Sequence, residues 1–240
     1  MLTISNLKKS YDGKTNIIDD LNLVIETGDI YGFIGHNGAG KTTTIKAITG
    51  IHPFEGGSVV FDGISLSEQP LRYKSMLAYI PDSPDLYESM TGIRFINFIA
   101  DMFDVSATKR DANIKKYADA FELTGALGSP ISTYSHGMKQ KLAIISALVH
   151  EPKLVVMDEP FVGLDPRASH LLKGFMHEIC ENGGSIFFST HVLVAEKLCN
   201  KIAIIKNGKI IRSGPTDEVR GDSSLEDLFL ELTEQEDEQA

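Results

Sequence analysis

The segment Gly35-His36-Asn37-Gly38-Ala39-Gly40-Lys41-Thr42 constrains this chain more than any other part of it. It fits the spacing G-x-x-x-x-G-K-[ST] and stands between a short β-rich run, Asp29–Ile34, and a helix-forming run, Lys41–Gly50, that stops on a glycine. Glycines let successive backbone N–H groups curl around an anion with no side chain in the way. The helix N-terminus then aims about half a positive charge at the same point. The backbone from Gly35 through Gly40, with Thr43 just inside the helix, is therefore expected to cradle phosphate oxygens. Lys41 is placed to reach the β- and γ-phosphates of a nucleotide, and the Thr42 hydroxyl to ligate Mg²⁺.

Further along, Leu154–Met157, Ser185–Phe188 and Ile202–Ile205 are continuous apolar runs, the pattern of parallel strands buried on both faces. They alternate with helical runs at Arg167–Cys180 and Val192–Cys199. Asn207-Gly208 joins Ile202–Lys206 to Lys209–Ser213 as a two-residue hairpin. Near the N-terminus, Leu2–Leu7 and Ile17–Ile25 flank a turn-like Asp12-Gly13 as antiparallel strands. Ser58–Phe61 and Leu77–Ile80 also read as strands, after which Pro81 and Pro84 break the pattern. From Thr91 to Val149 the periodicity is helical, with helices expected at Gly92–Phe103, Thr108–Phe121 and His136–Val149 and no strand between them.

A second chemical motif closes one of those strands. Leu154-Val-Val-Met-Asp158-Glu159-Pro160 is apolar until it ends in two adjacent carboxylates, which strand alternation would point to different sides. Asp158 can then take Mg²⁺ through water while Glu159 orients and deprotonates an attacking water, the division of labour that phosphoryl transfer requires. Other chemistries lack support. There is no G-x-S-x-G or H-E-x-x-H, and His52, His150, His170 and His177 form no ligand spacing. Cys180 and Cys199 are not in a C-x-x-C arrangement and read as reduced thiols.

Composition narrows the class. With 33 acidic against 23 basic residues the net charge is −10, the wrong sign for a dedicated nucleic-acid binder. Half of it sits on Glu231, Glu234, Glu236, Asp237 and Glu238, expected to form a solvated end. The longest apolar run, Leu142–Val149, falls far short of the ~20 residues of a membrane span, and the N-terminus lacks the features of a leader, so a cytosolic chain is expected.

The order of motifs is informative as a set: the phosphate loop, the helical stretch, Tyr134-Ser135-His136-Gly137-Met138-Lys139-Gln140, Asp158-Glu159-Pro160, Gly163-Leu164-Asp165-Pro166 and Ser189-Thr190-His191. Over essentially the whole chain this order resembles the ATP-binding subunits of ABC (ATP-binding cassette) transporters. The resemblance implies an α/β fold with a P-loop NTPase, RecA-like core, an antiparallel β-subdomain and an α-helical insertion subdomain. It implies one domain over 1–240, with 1–84 and 151–220 as core, 85–150 helical, and 221–240 a short C-terminal helix and acidic tail. It also implies two cassettes that sandwich two ATP molecules with Mg²⁺, the phosphate loop of one facing the signature helix of the other. Ser135 and Gly137 would then meet the γ-phosphate of a partner's nucleotide, and an N-cap serine at a free helix N-terminus suits that role. By the same resemblance Tyr11 falls where an aromatic stacks on adenine, Asp165 where the cassettes touch, and His191 where an imidazole contacts the γ-phosphate. The implied partners are a second ATPase subunit, with a homodimer expected, and an integral membrane permease, with no nucleic acid; the implied location is the cytoplasmic face of the membrane.

Two departures stand out. The signature commonly reads Leu-Ser-Gly-Gly-Gln, whereas here His136 and Met138 replace a glycine and the glutamine, a variant similar to ABC-2-type exporters. Where the family usually has a glutamine that reaches Mg²⁺ and couples to the membrane partner, this chain has Ile80-Pro81-Asp82. Asp82 can stand beside the metal or cap a turn, and the sequence leaves both open. Ile80-Pro81-Asp82, with Leu86-Tyr87 and the closing Leu225–Thr233, is similar to Ecs-type exporter ATPases. Two rivals share these motifs: a soluble cassette ATPase acting on nucleic acid or ribosomes, and an ATP-sensing module that does not hydrolyse.

Overall fold

The computed structural model describes residues 1–234, so the acidic end beyond them lies outside the described residues. Alternating apolar positions build a first, antiparallel sheet of β1 (Leu2–Ser10), β2 (Asn16–Ile25), β4 (Gly56–Phe61) and β5 (Ile64–Ser65), in the order β2-β1-β4-β5. The continuous apolar runs build a second, six-stranded sheet. It comprises β3 (Ile30–Ile34), β6 (Leu77–Ile80), β7 (Leu154–Asp158), β8 (Ser185–Ser189), β9 (Lys201–Lys206) and β10 (Lys209–Pro215), in the order β10-β9-β3-β8-β7-β6. All its neighbours are parallel except β10, which returns antiparallel through the Asn207-Gly208 hairpin.

Every residue of β3, β7 and β8 is buried, yet period-two alternation still divides them between two cores. Tyr31, Phe33, Leu154, Val156 and Phe187 face α1 (Lys41–Ile48) and the inner side of the antiparallel sheet. Ile30, Ile34, Val155, Met157, Ile186 and Phe188 face the other way. On that side pack α3 (Gly92–Met102), α4 (Ala107–Ala120), α5 (His136–Leu148), α6 (Pro166–Glu181), α7 (Val192–Leu198) and α9 (Leu225–Glu234). Each fully buried Phe or Leu contributes about 1.5–3 kcal/mol, so both faces of the sheet are firmly held. The helical stretch shares one continuous apolar core with the sheet and is not a separately packed body.

Besides two single 3-10 turns, Thr124–Ala126 and Ile131–Thr133, three elements had no counterpart in the sequence pattern: β5, α2 (Pro70–Ser75) and α8 (Thr216–Arg220). They span only two to six residues, too short to show a period. Within α2 one residue, Tyr73, is buried, and its hydroxyl donates to Ile48 O at 2.8 Å.

His150 joins the helical stretch to the sheet. Its ring stacks on Phe103 at 3.7 Å between centroids, and Nε2 donates to Leu77 O at 3.3 Å. Burial pushes its pKa down to about 4 from 6.5. The unfolded chain therefore binds the proton first as pH falls, and the contribution of neutral His150 is complete above about 6.5 and lost on the way down to about 4. The full effect is about 3 kcal/mol. Denaturant titrations across that range should show a steeper loss of stability in the wild type than in His150→Phe, which keeps the stacked ring. Equal slopes would contradict this assignment.

Candidate active site

Strand β3 delivers its last residue, Ile34, to the carboxyl edge of the sheet, and the chain turns there into the phosphate-loop segment. Two glycines are required by geometry. A Cβ on Gly35 would lie 2.6 Å from Ile205 O, because β9 packs directly beneath the loop. Gly40, the N-cap of α1, has φ of 109°, a left-handed conformation that L side chains rarely adopt. Lys41 folds back under the loop, its Nζ donating to Gly35 O at 2.6 Å and His36 O at 3.3 Å. His36 Nδ1 in turn donates to Asn37 O at 2.8 Å.

The loop forms one wall of a cleft of about 470 Å³. His36, Asn37, Gly38, Gly40, Lys41, Thr42 and Thr43 line it, and Tyr11, Ile17, Asp82, Asp158 and Glu159 complete it. Gly35 and Ala39, also expected in this site, do not line the cleft. Ala39 is fully buried, and Gly35 serves through its carbonyl under Lys41. Tyr11 stands exposed at the rim, with Lys9 Nζ 5.0 Å from its ring centroid and the His52 ring edge-on at 5.7 Å.

The acidic pair sits opposite. Asp158 ends β7 and is 1% exposed. Its Oδ1 accepts the Ser189 hydroxyl from the end of β8, whereas its Oδ2 is buried with no protein partner. Glu159 does not continue the strand, so the expected strand alternation is not what separates the two carboxylates. Its φ of 45° swings the chain out of β7 in a left-handed conformation costly for a non-glycine residue. The Ser189 hydroxyl also accepts Glu159 N–H at 2.9 Å and so ties the Asp158 carboxylate to the Glu159 backbone. Sequence reasoning gave Ser189 no role. The available signal was a hydroxyl ending an otherwise apolar strand two residues before His191. His191, the N-cap of α7, is largely exposed, and its Nε2 lies 3.7 Å from Glu159 Oε2.

Asp82 faces both ways in the structure. Its Oδ1 accepts Ser83 N–H at 2.8 Å, and its side chain lines the cleft with Asp158. Burial first, then the charges of Asp158 and Asp82, raise the pKa of the nearby Tyr79 phenol. Among the described residues no three His, Cys, Asp or Glu gather as a metal cage. Mg²⁺ does not need one: it is held through one or two carboxylates, phosphate oxygens and water. The unpartnered Oδ2 of Asp158 and the Thr42 hydroxyl in the same cleft fit that demand.

Ser135 and Gly137 lie outside the cleft. Ser135 is exposed and caps α5, its hydroxyl accepting Met138 N–H at 3.3 Å. The His136 ring packs on Gly163, where a Cβ would come within 2.6 Å of Cδ2. Asp165 caps α6 through Ala168 N–H at 2.8 Å and pairs with Lys141 Nζ at 2.9 Å. Lys141 first, then the Ala168 N–H, hold its carboxyl below the usual range. The signature helix and the Gly163–Asp165 turn are thus one packed unit.

A protein-family model described as ABC transporter matches residues 18–162. The chain belongs to the ABC transporter ATP-binding family. It is similar to the ABC-type transporter ATP-binding protein EcsA of Bacillus subtilis, 34% identical over 98% of each chain. It is also similar to the lantibiotic transport ATP-binding protein SrtF of Streptococcus pyogenes, 36% identical over 95% of this chain and 96% of that one. A solved structure of the ATP binding subunit of an ABC transporter superposes with a TM-score of 0.94 at 35% identity, covering 98% of this chain and all of the other. As a member of the ABC transporter family the chain is an ATP-binding and ATP-hydrolysing subunit that energises transport. Family members work with membrane permease components and dimerise. No helix among the described residues is long and apolar enough to cross a membrane.

Proposed function

We propose that two copies of this chain hydrolyse Mg-ATP at shared sites on the cytoplasmic face of a membrane and thereby drive a separate permease that exports its cargo. The convergence of Lys41, Thr42, Asp82, Asp158 and Glu159 on one cleft carries the reading. The loop N–H groups, the α1 N-terminus and Lys41 hold the β- and γ-phosphates, and Tyr11 at the rim takes the adenine. Thr42, Asp158 and Asp82 would hold Mg²⁺, which supplies charge neutralisation when bound. Glu159 orients a water against the γ-phosphorus and takes its proton as the water oxygen bonds there and the bond to the ADP oxygen breaks. His191, within reach of Glu159, contacts the γ-phosphate. Ser135 and Gly137 lie outside their own cleft, as required if they complete a partner's site. Similarity to a lantibiotic transport protein supports export.

The segment after β6 supports the link to the permease. Pro81 and Pro84 line an apolar groove of about 370 Å³ with Leu86, Phe95 and Phe103, while Asp82 between them lines the cleft. Exposed Tyr87 and Phe98 extend this surface, their rings edge-on at 5.9 Å. A permease segment seated in the groove would therefore press on the strand-to-loop segment that carries Asp82. Purification from detergent-solubilised membranes tests this. The chain should bring down one multi-span membrane protein, and Tyr87→Glu should reduce recovery at least about tenfold, the equivalent of a 1.4 kcal/mol contact, with ATP binding unchanged. Full recovery with Tyr87→Glu would refute the groove, and exclusive association with ribosomes or nucleic acid would refute the transporter reading.

A further inference from the structure

We infer that the C-terminal helices α8 and α9 set the reach of His191 into the site through Glu196, a positioning residue on α7. His191 belongs to α7 in its backbone: its carbonyl accepts Val194 N–H and Ala195 N–H, each at 3.2 Å, so the imidazole moves with the helix. With seven residues, α7 is too short to hold itself, since isolated helices below about 12–15 residues are marginal in water. Its position is decided by its neighbours.

Glu196 makes the polar part of that connection. Its Oε1 accepts Leu225 N–H at the start of α9 at 3.4 Å and lies 3.6 Å from Arg220 Nη1 at the end of α8. The carboxylate is about four-fifths buried although its Arg220 partner reaches solvent, and it meets a helix N-terminus, where negative charge is favoured. Ala195, Val219, Leu225 and Leu228 supply the apolar part from α7, α8 and α9. At its far end α9 offers Leu232 O to Lys206 Nζ at 3.3 Å. Lys206 ends β9, one residue beyond Ile205, whose carbonyl leaves no room for a side chain at Gly35. Helix α9 thus spans from the helix bearing His191 to the strand end beneath the phosphate loop. The two halves of the site are held in register from behind by a segment that does not touch the cleft.

The inference rests on His191 contacting the γ-phosphate, and a double-mutant cycle separates the two claims. Steady-state ATP turnover, nucleotide affinity and melting temperature would be measured for Glu196→Ala, Glu196→Gln, His191→Ala and the two combinations. Displacing a reacting group by about 1 Å can cost up to ~10²-fold. We expect Glu196→Ala to lower kcat about tenfold with KM for ATP within about twofold, and Glu196→Gln, which keeps an oxygen for Leu225 N–H, to lower it less. In the His191→Ala background neither change should lower kcat further, because there is no imidazole left to position. Additive losses, or wild-type kcat in Glu196→Ala beside an impaired His191→Ala, would overturn the inference. Wild-type turnover in His191→Ala would overturn the γ-phosphate assignment and the inference with it. If Glu196→Ala does not fold, the same cycle on Glu196→Gln decides.

Discussion

Lys41→Ala should all but abolish ATP turnover, lowering it by at least ~10²-fold, and should weaken ATP binding as well. The side chain has two tasks that alanine cannot perform. Its ammonium is the cation placed to meet charge on the β- and γ-phosphates, and removing such a preorganised donor costs about 2.7–4 kcal/mol of transition-state stabilisation. It also pins the loop from below through Gly35 O and His36 O, so its loss frees the backbone whose N–H groups form the rest of the cradle. Both effects act on the same ligand. The defect should therefore appear in titrations with a fluorescent ATP analogue as well as in phosphate release, while the melting temperature without nucleotide changes little. Full ATPase activity in Lys41→Ala would remove the phosphate loop from the site.

Glu159→Gln should give a different pattern: turnover down about 10²–10⁴-fold and ATP binding retained. Glutamine matches the size of the carboxylate and keeps the backbone N–H to Ser189 Oγ, so the left-handed turn at residue 159 is undisturbed. It cannot take the proton of the attacking water. ATP then stays bound, and if hydrolysis is what reopens two closed cassettes, the variant accumulates as a dimer. Sedimentation of Glu159→Gln with Mg-ATP should show the dimer, and the same protein without nucleotide the monomer. Monomer alone under both conditions would contradict the closed two-chain state.

The sequence showed the parts of the fold that repeat a period and the parts of the site that sit in tight motifs. The apolar runs at Leu154–Met157 and Ser185–Phe188 had to be sheet interior, and Lys41 had to begin a helix at the end of a strand. What escaped depended on contacts between distant segments. Ser189 acts across two strands on Asp158 and Glu159, which no spacing reveals. The divergence of the acidic pair comes from one left-handed residue rather than from strand alternation. The α2 helix owes its place to Tyr73 reaching Ile48 O, a tertiary contact that overrides weak local propensity. Asp82 was ambiguous for a physical reason: the side chain that caps its own turn also faces the cleft.

Because Ser135 is exposed at the N-terminus of α5, away from the cleft of its own chain, a site completed by a partner can be tested by mixing. Lys41→Ala and Ser135→Ala should each be inactive alone. In a mixed dimer, the Ser135→Ala chain supplies an intact phosphate loop and the Lys41→Ala chain an intact signature helix, so one of the two sites is whole. Random pairing in equal amounts makes about half of the dimers mixed, and turnover should return to about a quarter of the wild-type rate. A mixture no more active than its two components would contradict a site built from two chains.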